Sequence, residues 1–192
     1  MDTSERRQTA ISPLPVLIAR LVRAARLDST LYEEVEADRR GTTDALVVVL
    51  FTATMASLGD GLRAVVTGEG NLVLSLVGGV ASATIFWVGW AAILYLVGVK
   101  VLGGTSTPGE LLRTTAYAQA PNALLVLSGV SGFGTTLWMA VSIWVVASSV
   151  VAVRQALDVS TMKAVVATVI GWGAMAVAVV VVVAIPALLF AP

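Results

Sequence analysis

An all-α integral membrane bundle of five transmembrane helices, with an amphipathic segment ahead of it, is the fold the sequence predicts. Three observations carry that prediction. The 192-residue chain is 57% hydrophobic and only 12% charged, against roughly 25% charged in a soluble domain. Uncharged runs cover Ala45–Gly59, Gly70–Val99, Thr114–Val153 and Ala164–Pro192, and about 20 apolar residues in a helix cross a hydrocarbon core of about 30 Å. Finally, all twelve basic residues except Arg63 fall on one side of a five-span arrangement.

The N-terminal segment, residues 1–41, comes first. "PLPVLIARLVRAA" is interrupted by Arg20 and Arg23, so it reads as neither a signal-peptide core nor a span. On a helical wheel Leu14, Leu17, Ile18, Leu21, Val22 and Ala25 share one face and Arg20, Arg23 and Arg26 the opposite one. Such a helix lies along lipid headgroups or docks on the other spans, and both readings stand. Asp28-Ser29-Thr30 then breaks it, and Thr30 with Glu33 predicts a capping box for a short acidic helix through Asp38.

Residues 42–192 form the predicted membrane domain. The run Thr114–Val153 would measure about 60 Å as a straight helix, too long for one crossing. Its middle, "SGVSGFGTT", is rich in turn formers, so it splits into two spans joined by a tight hairpin. The five spans are then roughly Thr43–Val65, Leu72–Val101, Ala116–Ser128, Thr135–Val153 and Ala164–Leu189. Lysine and arginine mark cytoplasmic loops. Seven arginines precede the first span, Lys100 and Arg113 flank the second connection, and Arg154 and Lys163 flank the fourth. This predicts a multi-pass cell-membrane protein with its N-terminus cytoplasmic and its C-terminus outside.

The stretch "GGTSTPGELLRTTAYAQAP" interrupts the apolar pattern. Thr107, Pro108 and Glu110 occupy the N-cap, first and third positions of a predicted helix start. That helix enters the membrane with Arg113 at the surface and Tyr117 at interfacial depth. Pro121 lacks a donor and clashes with the Tyr117 carbonyl, which predicts a kink. Gln119 and Asn122 flank the kink and can satisfy the freed carbonyl or line a small polar cavity.

"VKVLGGTSTPGELLRTTAYAQAP" resembles the corresponding segment of bacterial and archaeal Yip1-domain proteins, in which a basic residue ends the second span. A Gly-rich turn follows there, then a helix with Tyr–Ala and a proline four residues after the tyrosine. "LDSTLYEEVEADRRGTTDALVVV" is similar to the family's pre-membrane lead-in. "SIWVVASSVVAVRQALDVSTMKAVVATVI" resembles its fourth span, cytoplasmic turn and fifth span. The resemblance implies a five-span, N-inside membrane protein. The Asp-Leu-Tyr-Gly-Pro signature of eukaryotic members is absent, so their partnership with Rab-type GTPases is not carried over.

Little chemistry is encoded. Gly129–Gly134 contains the Gly-Val-Ser-Gly pattern of rhomboid-type proteases, but a serine nucleophile needs a base and the chain has no histidine. There is no cysteine for a thiol, disulfide or metal site. Glu33, Glu34, Glu36 and Asp38 spread around their helix rather than converge on a cation. No basic stripe with interleaved aromatics suggests nucleic acid. The glycines and alanines at 78, 79, 89, 91, 92, 171, 173 and 174 serve internal packing or a homo-oligomer face.

The expected function is a non-enzymatic membrane protein, without cofactor, that organises membrane or binds membrane or cytoplasmic proteins through its cytoplasmic elements. The alternative is a small-solute permease or channel, or a lipid-translocating protein. The candidate functional cluster is Arg113, Tyr117, Gln119, Pro121 and Asn122. Asp60 and Arg63, three apart on one helical face at membrane depth, form a secondary candidate ion pair.

Overall fold

The structure is a computed structural model that describes residues 12–39, 41–129 and 132–181. Arg6, Arg7, Arg40, Ser131 and the end of the fifth predicted span beyond Val181 lie outside the described residues. In chain order the elements are α1 (Leu14–Ala25), α2 (Ser29–Ala37), α3 (Thr42–Thr67) and α4 (Leu72–Tyr95), which continues as a π-helix over Leu96–Val101. There follow α5 (Pro108–Ala118), a 3-10 helix (Ala120–Gly129), α6 (Gly134–Leu157) and α7 (Thr161–Val179). The fold is all-α. Among the described residues, four helices are long and apolar enough to cross a membrane: α3, α4 with its π continuation, α6 and α7.

Local chemistry sets the helix ends. Thr107 and Glu110 form the expected reciprocal capping box at α5. Asn71 and Ser160 cap α4 and α7 through their side chains, and Gly68 closes α3 in the left-handed conformation. The α2 start differs from expectation. Asp28, not Thr30, is the N-cap, and its carboxylate accepts from the Thr30 N–H at 3.0 Å. Arg23 donates to the same carboxylate at 2.8 Å, which fixes the acid rather than the hydroxyl at the cap.

The third predicted span is the main correction. Instead of a kinked α-helix over Ala116–Ser128, α5 begins at Pro108, stops at Ala118, and the chain tightens into ten residues of 3-10 helix. Pro121 has no N–H for the Tyr117 carbonyl, which breaks the α hydrogen-bond pattern at this point. The Asn122 N–H bonds the Gln119 carbonyl instead, at 2.9 Å. At about 1.5 Å per α residue and 2.0 Å per 3-10 residue, the pair spans about 36 Å. The 3-10 segment packs on α3 and α6 and leads from α5 toward the turn before α6.

Neighbouring elements close a ring: α3 packs on the 3-10 helix, that on α6, α6 on α7, α7 on α4, and α4 on α3. Small residues let it close. A Cβ built on Gly79 would stand 2.2 Å from the Ser57 hydroxyl, so α4 approaches α3 there as only glycine permits. Gly78 and Gly173 have no such neighbour. One end of the ring is closed by α5, which packs on α3, α4 and α6, and over it sit α1 and α2. The turns at Thr105 and Asp158 meet at this end, where Lys163 donates to the Leu102 carbonyl. Arg63 lies at the other end, beside Gly134.

Candidate functional site

The candidate residues separate into two places. Arg113 and Tyr117 face the α1–α2 cap, whereas Gln119 and Asn122 face a cavity inside the ring. Pro121 is buried at the junction, where it sets the change of helix type.

Arg113 is buried within the protein. Only 5% exposed, it donates from Nε to the Val35 carbonyl at 2.9 Å and from Nη2 to the Glu36 carbonyl. Those are carbonyls of the last turn of α2, which lack partners within their own helix and carry the negative end of its dipole. Arg113 thus holds α2 onto α5 across 78 residues of sequence. Tyr117 is likewise buried, in a core with Ala24, Leu31, Tyr32, Val35, Val48 and Ala152. Its hydroxyl lies near the Arg20 guanidinium.

The cap is also bound by charge. Arg20 donates to Glu34 at 2.9 Å and to Asp44 at 3.4 Å, and Arg23 to Asp28 and to Glu34 at 2.6 Å. Thr30 and Arg23 together hold the Asp28 carboxyl down at about 2. Asp44, which sequence reading passed over, is buried in the first turn of α3 and also accepts from the Ser12 N–H at 2.9 Å. Trp144 on α6 donates from Nε1 to the Ala25 carbonyl at 2.7 Å, and Gln155 to Glu33 at 2.6 Å. Burial, with Asp158 and Glu110 nearby, pushes the Glu36 carboxyl up to about 7. Among the described residues, no group of acids could hold a metal ion.

The α1 helix has two apolar faces. Leu17 and Ala24 are buried and Leu21 and Ala25 pack on the core. Leu14, Ile18 and Val22 instead stand 69%, 51% and 45% exposed. The docked reading of this helix holds, and a second, unpartnered ridge remains.

Inside the ring lies a cavity of about 370 Å³. Thr52, Ser57, Asp60, Gln119, Asn122 and Ser142 supply its polar atoms, and Phe86, Trp87 and Trp172 its aromatic walls. Asn122 donates to the Gln119 side-chain oxygen at 2.7 Å, so the two amides form one unit. Trp87 turns its Nε1 away, donating to the Leu112 carbonyl and Thr115 hydroxyl of α5 at 3.1 and 3.2 Å. A second cavity of about 270 Å³ shares Asp60 with the first and is lined by Arg63, Ser128, Gly134, Thr135 and Trp138. Asp60 and Arg63 stand 3.9 Å apart and more than half exposed. Gln119 and Asn122 of the first candidate cluster and the Asp60–Arg63 pair therefore line two adjoining cavities that share Asp60, whereas Arg113 and Tyr117 do not reach them.

No curated protein and no solved structure matches the chain. The Yip1 domain matches residues 29–188, from the start of α2 through all the long helices just described, and the chain belongs to the Yip1 domain family.

Proposed function

We propose that this protein is a non-enzymatic membrane protein that carries its α1–α2 cap at the cytoplasmic surface of the cell membrane. There it organises lipid or protein partners. The observation supporting this is the ridge of Leu14, Ile18 and Val22, left exposed on a helix whose other face is clamped. Arg20 and Arg23 are engaged by acids of the cap and of α3, so attraction to anionic lipid is not their main use. The ridge would hold the headgroup boundary by apolar burial, worth about 0.8 kcal/mol per buried CH₂. Orientation rests on the one-sided lysines and arginines.

The test uses the cysteine-free chain. Ile18→Cys, carrying an environment-sensitive fluorophore, is reconstituted in vesicles containing lipids brominated at defined depths. Quenching is expected at headgroup and upper acyl depth. A fluorophore that reports bulk water, unquenched at every depth, would remove this reading. A permease is supported less well, because no observation shows a polar path through the ring among the described residues.

A further inference from the structure

The recess inside the ring has no part in the reading of the cap. Its size is within the roughly 300–1,000 Å³ of small-molecule sites, and it shares their chemistry of apolar walls with a few convergent polar groups. The charge lining it is asymmetric. Asp60 lines both the inner and the outer cavity, whereas Arg63 lines only the outer one. The inner cavity therefore has one carboxylate and no cation among its described lining residues. Asp60 thus sets a negative charge at the mouth of the inner cavity.

The neutral lining is suited to a positive guest. Thr52 donates its hydroxyl hydrogen to the Val48 and Val49 carbonyls, which leaves its oxygen as an acceptor. Gln119 accepts one bond from Asn122, so both amide oxygens of the pair keep acceptor capacity toward the cavity. Phe86, Trp87 and Trp172 present aromatic surface to the same space, and aromatic faces attract cations within about 6 Å. Apolar grooves between α4 and α7, lined by Ile85, Phe86, Met175 and Val179, adjoin the cavity at Phe86 and Trp172. They can take the hydrocarbon part of a guest. Gln119 and Asn122 line the cavity beside Trp87, whose Nε1 is held by α5.

We propose that this recess binds an organic ammonium with an apolar body, its charge on Asp60 and its body against Phe86, Trp87 and Trp172. The ammonium can belong to a free amine or to a lipid headgroup, since both offer the same chemistry.

The test uses the full chain in nanodiscs of phosphatidylglycerol, which have no ammonium of their own. Calorimetric titration with n-butylammonium should show saturable binding, and n-butanol and butyrate should bind weakly or not at all. Asp60 is exposed near the end of α3, so Asp60→Asn should fold normally and weaken butylammonium binding about tenfold or more. Ser142→Phe keeps the carboxylate but fills the cavity, and should abolish binding while keeping the melting temperature within a few degrees. Adding phosphatidylethanolamine to the nanodiscs separates the sources. Competition identifies a lipid headgroup as occupant, and unchanged affinity identifies a free amine. Absence of saturable butylammonium binding to the parent protein overturns the proposal, and so does binding that survives Asp60→Asn undiminished.

Discussion

Gly59 on α3 lies so close to Leu125 on the 3-10 helix that a Cβ added to Gly59 would stand 2.0 Å from the Leu125 carbonyl oxygen. The obstacle is backbone, which cannot swing aside as a side chain can. Three residues farther along the 3-10 segment, Ser128 donates to that same carbonyl at 2.7 Å. This contact seats the 3-10 helix in the ring and therefore places Gln119 and Asn122 at the cavity.

Gly59→Ala should push the 3-10 helix off α3 and cost about 1–3 kcal/mol, the usual cost of overpacking. Gly78→Ala is the control, since nothing lies within 4 Å of a Cβ there. Thermal unfolding in detergent measures both. A lower midpoint for Gly59→Ala with an unchanged one for Gly78→Ala is expected. Equal midpoints would show that the ring tolerates the displacement.

The hold of Arg113 on α2 leads to a second prediction. Arg113→Met removes the donors to two carbonyls and should cost on the order of 3 kcal/mol of cap attachment. Arg113→Lys keeps the charge but lacks the planar fork that reaches both carbonyls, so it should recover only part. Tryptic cleavage after Arg39 and at the arginines of α1 reads the detachment directly. Cleavage should be fastest for Arg113→Met, intermediate for Arg113→Lys and slowest in the parent.

What the sequence disclosed and what it did not divide by distance along the chain. The capping box of Thr107 and Glu110 and the pairing of Asp60 with Arg63 span three residues each, so spacing alone was enough. The burial of Arg113 depends on carbonyls 77 and 78 residues away, and no local pattern marks a carbonyl as an acceptor. Seen locally, an arginine on a helix entering the bilayer belongs at the surface. The 3-10 segment was half legible. Pro121 announced that the α pattern would fail, but whether a helix kinks or tightens depends on the neighbour it meets, here Gly59. Asp44 carries no local sign of its role, because Arg20 and the Ser12 N–H reach it only where α1 folds back over α3. The union of Asp60 with Gln119 and Asn122 needed the whole ring.

Glu36 makes cap attachment depend on pH. Its carboxyl is raised from the usual 4.5 to about 7, first by burial and then by Asp158 and Glu110. A folded state that holds a proton more tightly than the unfolded chain is favoured when that proton is bound. The contribution is therefore complete below about pH 4.5 and is lost as pH rises through about 7. Hydrogen exchange of the α2 amides should accordingly show less protection at pH 8 than at pH 6, after correction for intrinsic rates. Glu36→Gln, neutral throughout, should flatten that difference. Persistence of the full pH dependence in Glu36→Gln would place its origin elsewhere.

Orientation is the last prediction, and the structure changes which positions can test it. Asn71 and Ser160 are N-caps of α4 and α7, so cysteines there would disturb the helices they report on. Better reporters are Glu69 and Gly132 at the Arg63 end; both are exposed, and a Cβ at Gly132 meets nothing within 4 Å. At the cap end, Arg39 and Ser106 serve. The chain has no native cysteine, so each single substitution gives one thiol. With an impermeant maleimide on intact cells, Glu69→Cys and Gly132→Cys should be labelled. Arg39→Cys and Ser106→Cys should react only after lysis. The physical ground is that the lysines and arginines gather at the cap end, and positively charged loops stay on the cytoplasmic side. Labelling of Ser106→Cys and Arg39→Cys without lysis would invert the protein. The cap would then lie outside the cell, and the Asp60 mouth of the recess would face the cytoplasm.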